Sequence, residues 1–135
     1  MENTVDQNNY ESIKRKAKEF YKKLGCVWCS KLNDCIIFNR AGFQHLIRRK
    51  RIQRPKSEQK RRFLLLFHAR EIIETSKTIT HKRKSAGCAT AEFWVFTRKI
   101  DERWITLVTR RIGGGGIHFF SIYEKKQKST IKVDF

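Results

Sequence analysis

Ile13, Ala17, Phe20, Tyr21 and Leu24 recur at the spacing of one helical face between lysine-rich flanks, and Gly25 stands where a C-terminal cap would, so the chain predicts a first helix there. Two short apolar runs follow, Cys26 to Cys29 and Cys35 to Phe38. The polar stretch Ser30-Lys31-Leu32-Asn33-Asp34 between them suits a hairpin turn. Asn39 can cap a short helix in which Phe43, Leu46 and Ile47 share a face. Arg48-Arg49-Lys50-Arg51 and then Pro55 break that pattern and predict a basic loop. Ser57 is a second candidate N-cap, for a long buried helix carrying Phe63, Leu66, Phe67 and Ile73 and ending near Ser76.

From Lys77 the texture changes to β-branched and aromatic residues. Strands are expected over Thr78 to Lys82, Ala91 to Thr97, Trp104 to Arg111 and Ile117 to Tyr123, with Gly113 to Gly116 as a hairpin tip. A symmetric tip would set Arg110 across from His118, Val108 across from Phe120 and Thr106 across from Ile122. The same register pairs Thr109 with Phe119 and Leu107 with Ser121 on the other face, and one bulge would shift these pairs. Helices followed by an antiparallel meander predict an α+β domain, with N-terminal helices packed on one face of a four-stranded antiparallel sheet and the other face free. The whole chain, 1–135, reads as a single domain whose ends, 1–12 and 125–135, fray unless the tail adds an edge strand.

Charge changes the picture most. Lysine and arginine total 31 against 13 acidic residues, a formal net charge of +18 in 135 residues. Self-repulsion of that size is relieved by a polyanion, so RNA or DNA is the expected partner, bound with strong salt dependence. With 39% apolar and 12% aromatic residues the chain should still fold on its own. No run approaches the length of a membrane-spanning helix and the polar start does not resemble a signal peptide, so a cytoplasmic protein with no membrane partner is expected.

The densest positive cluster, Arg48, Arg49, Lys50, Arg51, Arg54, Lys56, Lys60, Arg61 and Arg62, points to phosphate binding, with Arg98 and Arg111 adding cations on the strands. Phe93, Trp94, Phe96, Phe119, Phe120 and Tyr123 interleave with these cations as a base-stacking platform would, although alternation must send half of them into the core. Metal-free RNA cleavage needs a base, an acid and cations around the phosphorane. His45 with Arg48 and Arg49 one turn later, and His118 beside Arg110, supply those types. Carboxylates are scattered, which argues against a magnesium nuclease and for no cofactor. His68 and His81 read as structural or solvated. A competing zinc site would use Cys26, Cys29, Cys35 and Cys88, but only the first two have knuckle spacing. No phosphate-binding loop, dinucleotide fingerprint or nucleophile elbow occurs.

The segment from Cys35 to Arg48, CIIFNRAGFQHLIR, followed by Glu58-Gln59-Lys60-Arg61-Arg62-Phe63 and later by His118-Phe119-Phe120-Ser121-Ile122, resembles small bacterial and phage proteins of the barnase, EndoU, colicin and RelE (BECR) nuclease fold. The likeness spans about Phe20 to Tyr123. It implies helices before a four-stranded antiparallel sheet that carries a metal-independent ribonuclease site. It further implies His45, His118 and Ser121 as the positions to test, Arg48 and Arg110 as phosphate binders, and an acidic antitoxin or immunity protein as partner. Strict alternation would put His118 and Ser121 on opposite faces unless the strand is bulged. A metal-independent endoribonuclease, as a toxin, is the leading expectation. A non-catalytic RNA- or DNA-binding module is its rival, and a zinc-stapled adaptor the third.

Overall fold

The computed structural model describes residues 2–87 and 89–125. Cys88 and the tail 126–135, named above as a metal-ligand candidate and a fraying end, lie outside them. The elements in order are α1 (Glu2–Leu24), β1 (Cys26–Cys29), β2 (Asp34–Ile37), α2 (Arg40–Ile47), β3 (Arg48–Arg49), β4 (Ile52–Gln53), α3 (Lys56–Leu66), α4 (Ala69–Thr75), β5 (Thr78–Ala86), β6 (Ala89–Ile100), β7 (Arg103–Ile112) and β8 (Ile117–Lys125). α1 stops where expected, at Gly25, whose φ of +56° turns the chain sharply into β1. Asn39 caps α2, its side-chain oxygen accepting from the Gly42 amide at 3.0 Å.

The α+β class stands, but the four-stranded antiparallel sheet is corrected. Among the described residues the sheet has six strands in the order β1-β2-β8-β7-β6-β5 and is mixed. β5 to β8 form the antiparallel meander, and the β1–β2 hairpin joins it by parallel pairing of β2 with β8, Ile36 against Ile117 and Ile37 against His118. The physical reason lies at the edge: β8 carries Ile117 and Phe119 into the core, and the hairpin seals that edge with Ile36, which is itself fully buried.

Two further expectations change. The long helix over Ser57 to Ser76 is broken into α3 and α4 at Phe67 and His68, where the His68 amide bonds back three residues to Leu65. α3 starts at Lys56 behind Pro55, so Ser57 is not its cap. The basic loop is a two-stranded ribbon, Arg48 paired with Gln53 and Arg49 with Ile52, closed by a turn with Lys50 at a φ of +58°.

Helices and sheet close over Val27, Ile36, Phe96, Ile105, Leu107, Ile117, Phe119 and Ile122, met by Tyr21, Leu24, Phe43, Leu46, Phe63, Leu66 and Ile72. Tyr21 is the hub. Its ring packs edge-on against Phe38, Phe43 and Phe119, and its hydroxyl donates to the Asn39 carbonyl at 2.6 Å. The opposite sheet face is not bare, since Val95, Thr106, Val108 and Ser121 are buried there. Among the described residues, no helix is long and apolar enough to cross a membrane.

Candidate functional site

α2 approaches β8 closely because residue 42 has no side chain: a Cβ there would lie 2.7 Å from the Phe119 carbonyl. Three residues on, the helix turns His45 toward the next residue of β8, Phe120, at a ring-centroid separation of 4.5 Å. Phe120 is presented by an irregularity in the strand. Val108 pairs with Ser121 but Thr109 pairs with Phe119, so one residue of β8 is extra. The Arg110 guanidinium lies over the same ring at 4.4 Å, and Phe93 meets it edge-on at 5.8 Å.

The bulge also decides the face. Arg110 pairs with His118 and Val108 with Ser121, and residues 108 and 110 share a face, so His118 and Ser121 lie on one side of the sheet. The Arg110–His118 and Thr109–Phe119 pairs fall in the expected register. The pairs expected beyond the bulge shift by one residue, giving Leu107 with Ile122 and Thr106 with Tyr123.

A ladder of charge supports this face. Arg54 is buried and donates to the His45 carbonyl at 3.1 Å and to Glu58 at 2.7 Å. Arg62 donates to Glu58 at 3.3 Å, to the Ser121 hydroxyl at 3.2 Å and to the Ile122 carbonyl at 3.0 Å. Burial pushes the Glu58 carboxyl up, but the hydrogen bond from Arg54 and the charge of Arg62 outweigh it and hold Glu58 below its ordinary value. Burial likewise lowers the Arg62 and Arg110 guanidinium pKa values. His45 responds most: burial first, then the charges of Arg54, Arg62, Arg110 and Arg49, bring its imidazole down to about 4. It is therefore neutral near pH 7, and its buried Nδ1 has no hydrogen-bond partner among the described residues.

His45, Arg48, Arg49, Arg110, His118 and Phe120 line one cleft of about 830 Å³, beneath the glycine-rich tip. Those sequence candidates are thus brought together, whereas Ser121 is buried and does not line the cleft, its hydroxyl accepting from Arg62, which lines a neighbouring one. Other candidates also lie apart. Arg51 is exposed in the turn of the ribbon, Arg61 faces a neighbouring cleft, and Lys60 is half-buried on α3. Lys56 sits over the Tyr10 ring at 5.3 Å, and Arg54 is consumed internally. Arg98 and Arg111 lie on the other sheet face, Arg98 near Glu71 at 3.8 Å and Arg111 on Glu92 at 2.7 Å. His81 also binds Glu92, at 2.9 Å, and stacks on Trp94.

Of the cysteines, Cys29 is buried in the core, Cys26 is exposed and Cys35 half-buried. Burial and the adjacent Cys26 thiol push the Cys35 thiol up. Among the described residues no group of three His, Cys, Asp or Glu side chains could hold a metal ion. Glu58 was not among the sequence candidates and Arg62 counted only as one of the basic cluster, although the spacing of Arg54, Glu58 and Arg62 at four-residue steps is a readable ion-pair ladder leading into α3. Compared with known protein families, curated proteins and solved structures, the chain matches none significantly.

Proposed function

We propose that this protein is a metal-independent endoribonuclease. The observation that carries the reading is the neutral imidazole of His45, seated on Phe120 and surrounded by Arg49, Arg54, Arg62 and Arg110 at an open cleft. A phosphodiester entering the cleft would be bound by the charge of Arg48, Arg49 and Arg110, which line it, and its developing phosphorane stabilised by the same groups, with Arg54 and Arg62 acting from beneath. Its charge would offset theirs and raise the proton affinity of His45. In the reaction the ribose 2′-oxygen attacks phosphorus, its proton passes to His45, and the bond to the 5′-oxygen breaks as His118 donates a proton to it. A 2′,3′-cyclic phosphate and a 5′-hydroxyl result. This route requires RNA, since DNA lacks the nucleophile. Ser121 acts through Arg62 as a positioning residue. Membership of the BECR nuclease group, action as a toxin, and neutralisation by an acidic protein covering the basic face belong to the same proposal, with family analogy as their support.

The depressed basicity of the unliganded His45 favours one rival, a module that binds RNA without cutting it. The deciding experiment incubates labelled single-stranded and structured RNA with the protein in excess chelator, beside His45→Ala and His118→Ala. Cleavage that persists in chelator and is lost in His45→Ala, with binding retained, supports the enzyme. Tight binding with no cleavage of any substrate supports the module.

A further inference from the structure

A second cleft, of about 780 Å³, opens on the other side of the β3–β4 ribbon. Arg49 and Lys50 line both clefts, so the ribbon is a shared wall and not a barrier between unrelated sites. Arg62 connects them from beneath: it lines the second cleft, is anchored to β8 at Ser121 and Ile122, and its charge is felt by His45 in the first. The second cleft differs in chemistry. Ile52 and Leu64 expose apolar surface there, 75% and 44% accessible, and Tyr123 of β8 lines the cleft with them. Arg61 and Arg103 stand at the same cleft, with two carboxylates that also line it, Glu124 at 3.9 Å from Arg103 and Glu58 paired with Arg54 and Arg62. Aromatic and apolar walls under a rim of guanidiniums are what an unpaired nucleotide requires, a flat face for the base and cations for the backbone.

We infer that this second cleft binds the nucleotide flanking the one whose phosphate lies at His45, so that the protein takes an extended single strand running along β8 across the ribbon. The inference rests on the reading of the first cleft as a phosphodiester site. A paired base could not offer its face to Tyr123, so duplex is a poor occupant.

The test uses the full chain and fluorescently labelled 2′-deoxy oligonucleotides, which bind but cannot be cleaved by 2′-oxygen attack, at physiological ionic strength. A hexanucleotide should bind roughly tenfold or more tighter than a dinucleotide, the gain expected for one further stacked base. Tyr123→Ala should remove most of that gain while leaving the dinucleotide unchanged. The exposed substitutions Ile52→Asp and Arg61→Glu, which do not touch the core, should do the same. Equal affinity for the two lengths, or hexanucleotide binding unaffected in the surface variants, would overturn the second cleft while leaving the first intact. Equal binding of a duplex would overturn the single-strand assignment. Failure of the wild-type chain to bind either oligonucleotide would sink the phosphodiester reading itself.

Discussion

Replacing Gly42 by Ala tests whether the packing of α2 on β8 places His45. The added Cβ would lie 2.5 Å from the Tyr21 hydroxyl, 2.7 Å from the Phe119 carbonyl oxygen and 3.0 Å from the Phe119 ring. Neither neighbour yields easily. The Phe119 carbonyl belongs to a strand held by β7 at Phe119 itself and by β2 at the two residues before it, and Tyr21 is held by its bond to Asn39 and by three aromatic rings. Alanine gains up to about 1 kcal/mol of helix propensity over glycine. Against this stand overpacking, about 1–3 kcal/mol, and the Tyr21 hydrogen bond, about 1 kcal/mol. The clash wins, and the net expectation is a loss of about 2 kcal/mol, read by urea denaturation. Because α2 must retreat from β8, the His45 imidazole should also leave Phe120 and titrate closer to its ordinary 6.5, as followed by proton NMR. Gly114→Ala, with open space around its Cβ, is the control and should change stability by less than about 0.5 kcal/mol. A Gly42→Ala protein as stable as the parent, with His45 still titrating near 4, would refute the argument.

Acid should expose the cost of a buried neutral His45. Its pKa is about 4 in the fold against 6.5 ordinarily, so above 6.5 it contributes nothing to pH dependence. Between those values the unfolded chain takes up the proton first and stability falls as pH falls, by on the order of 1–2 kcal/mol after allowance for solvent screening. His45→Gln should flatten that part of the stability profile, and an unchanged slope would show that other groups produce it. Arg62→Met keeps the aliphatic stem but removes the donors to Glu58, Ser121 and Ile122, and should cost about 1–3 kcal/mol. Since Arg62 is one of the cations depressing His45, the same variant should raise the His45 pKa in an NMR titration; no change would place Arg62 electrically outside the site.

Short-range features of the chain are legible in its sequence because local chemistry alone decides them. The cap at Asn39, the turn at Gly25, the meander texture after Lys77 and the glycine tip all depend on residues within a few positions. The excess of cations is likewise a sum over residues, independent of fold. His45, Arg48, Arg49, Arg110 and His118 were identifiable as chemical types, and they line one cleft. What sequence could not reveal are effects that depend on partners far along the chain. Periodicity shows that the hairpin at Cys26 to Ile37 exists, but not that the open edge of β8, eighty residues later, would take it up in parallel. Nor does alternation disclose the extra residue at Phe120, since a bulge reflects how two strands fit together and not the composition of either. The equal basicity of arginines on paper also conceals their fates: Arg54 turns inward to His45 and Glu58, Arg111 crosses to the other face, and Arg110 stays over Phe120. By itself the sequence determined the caps at Gly25 and Asn39, the turns, the strands of the meander, the charge and the kinds of side chain available, but not the break between α3 and α4 or the β3–β4 ribbon. Only the tertiary structure decided which of them meet, because burial and the field of distant arginines, acting through space on His45, have no counterpart along the chain.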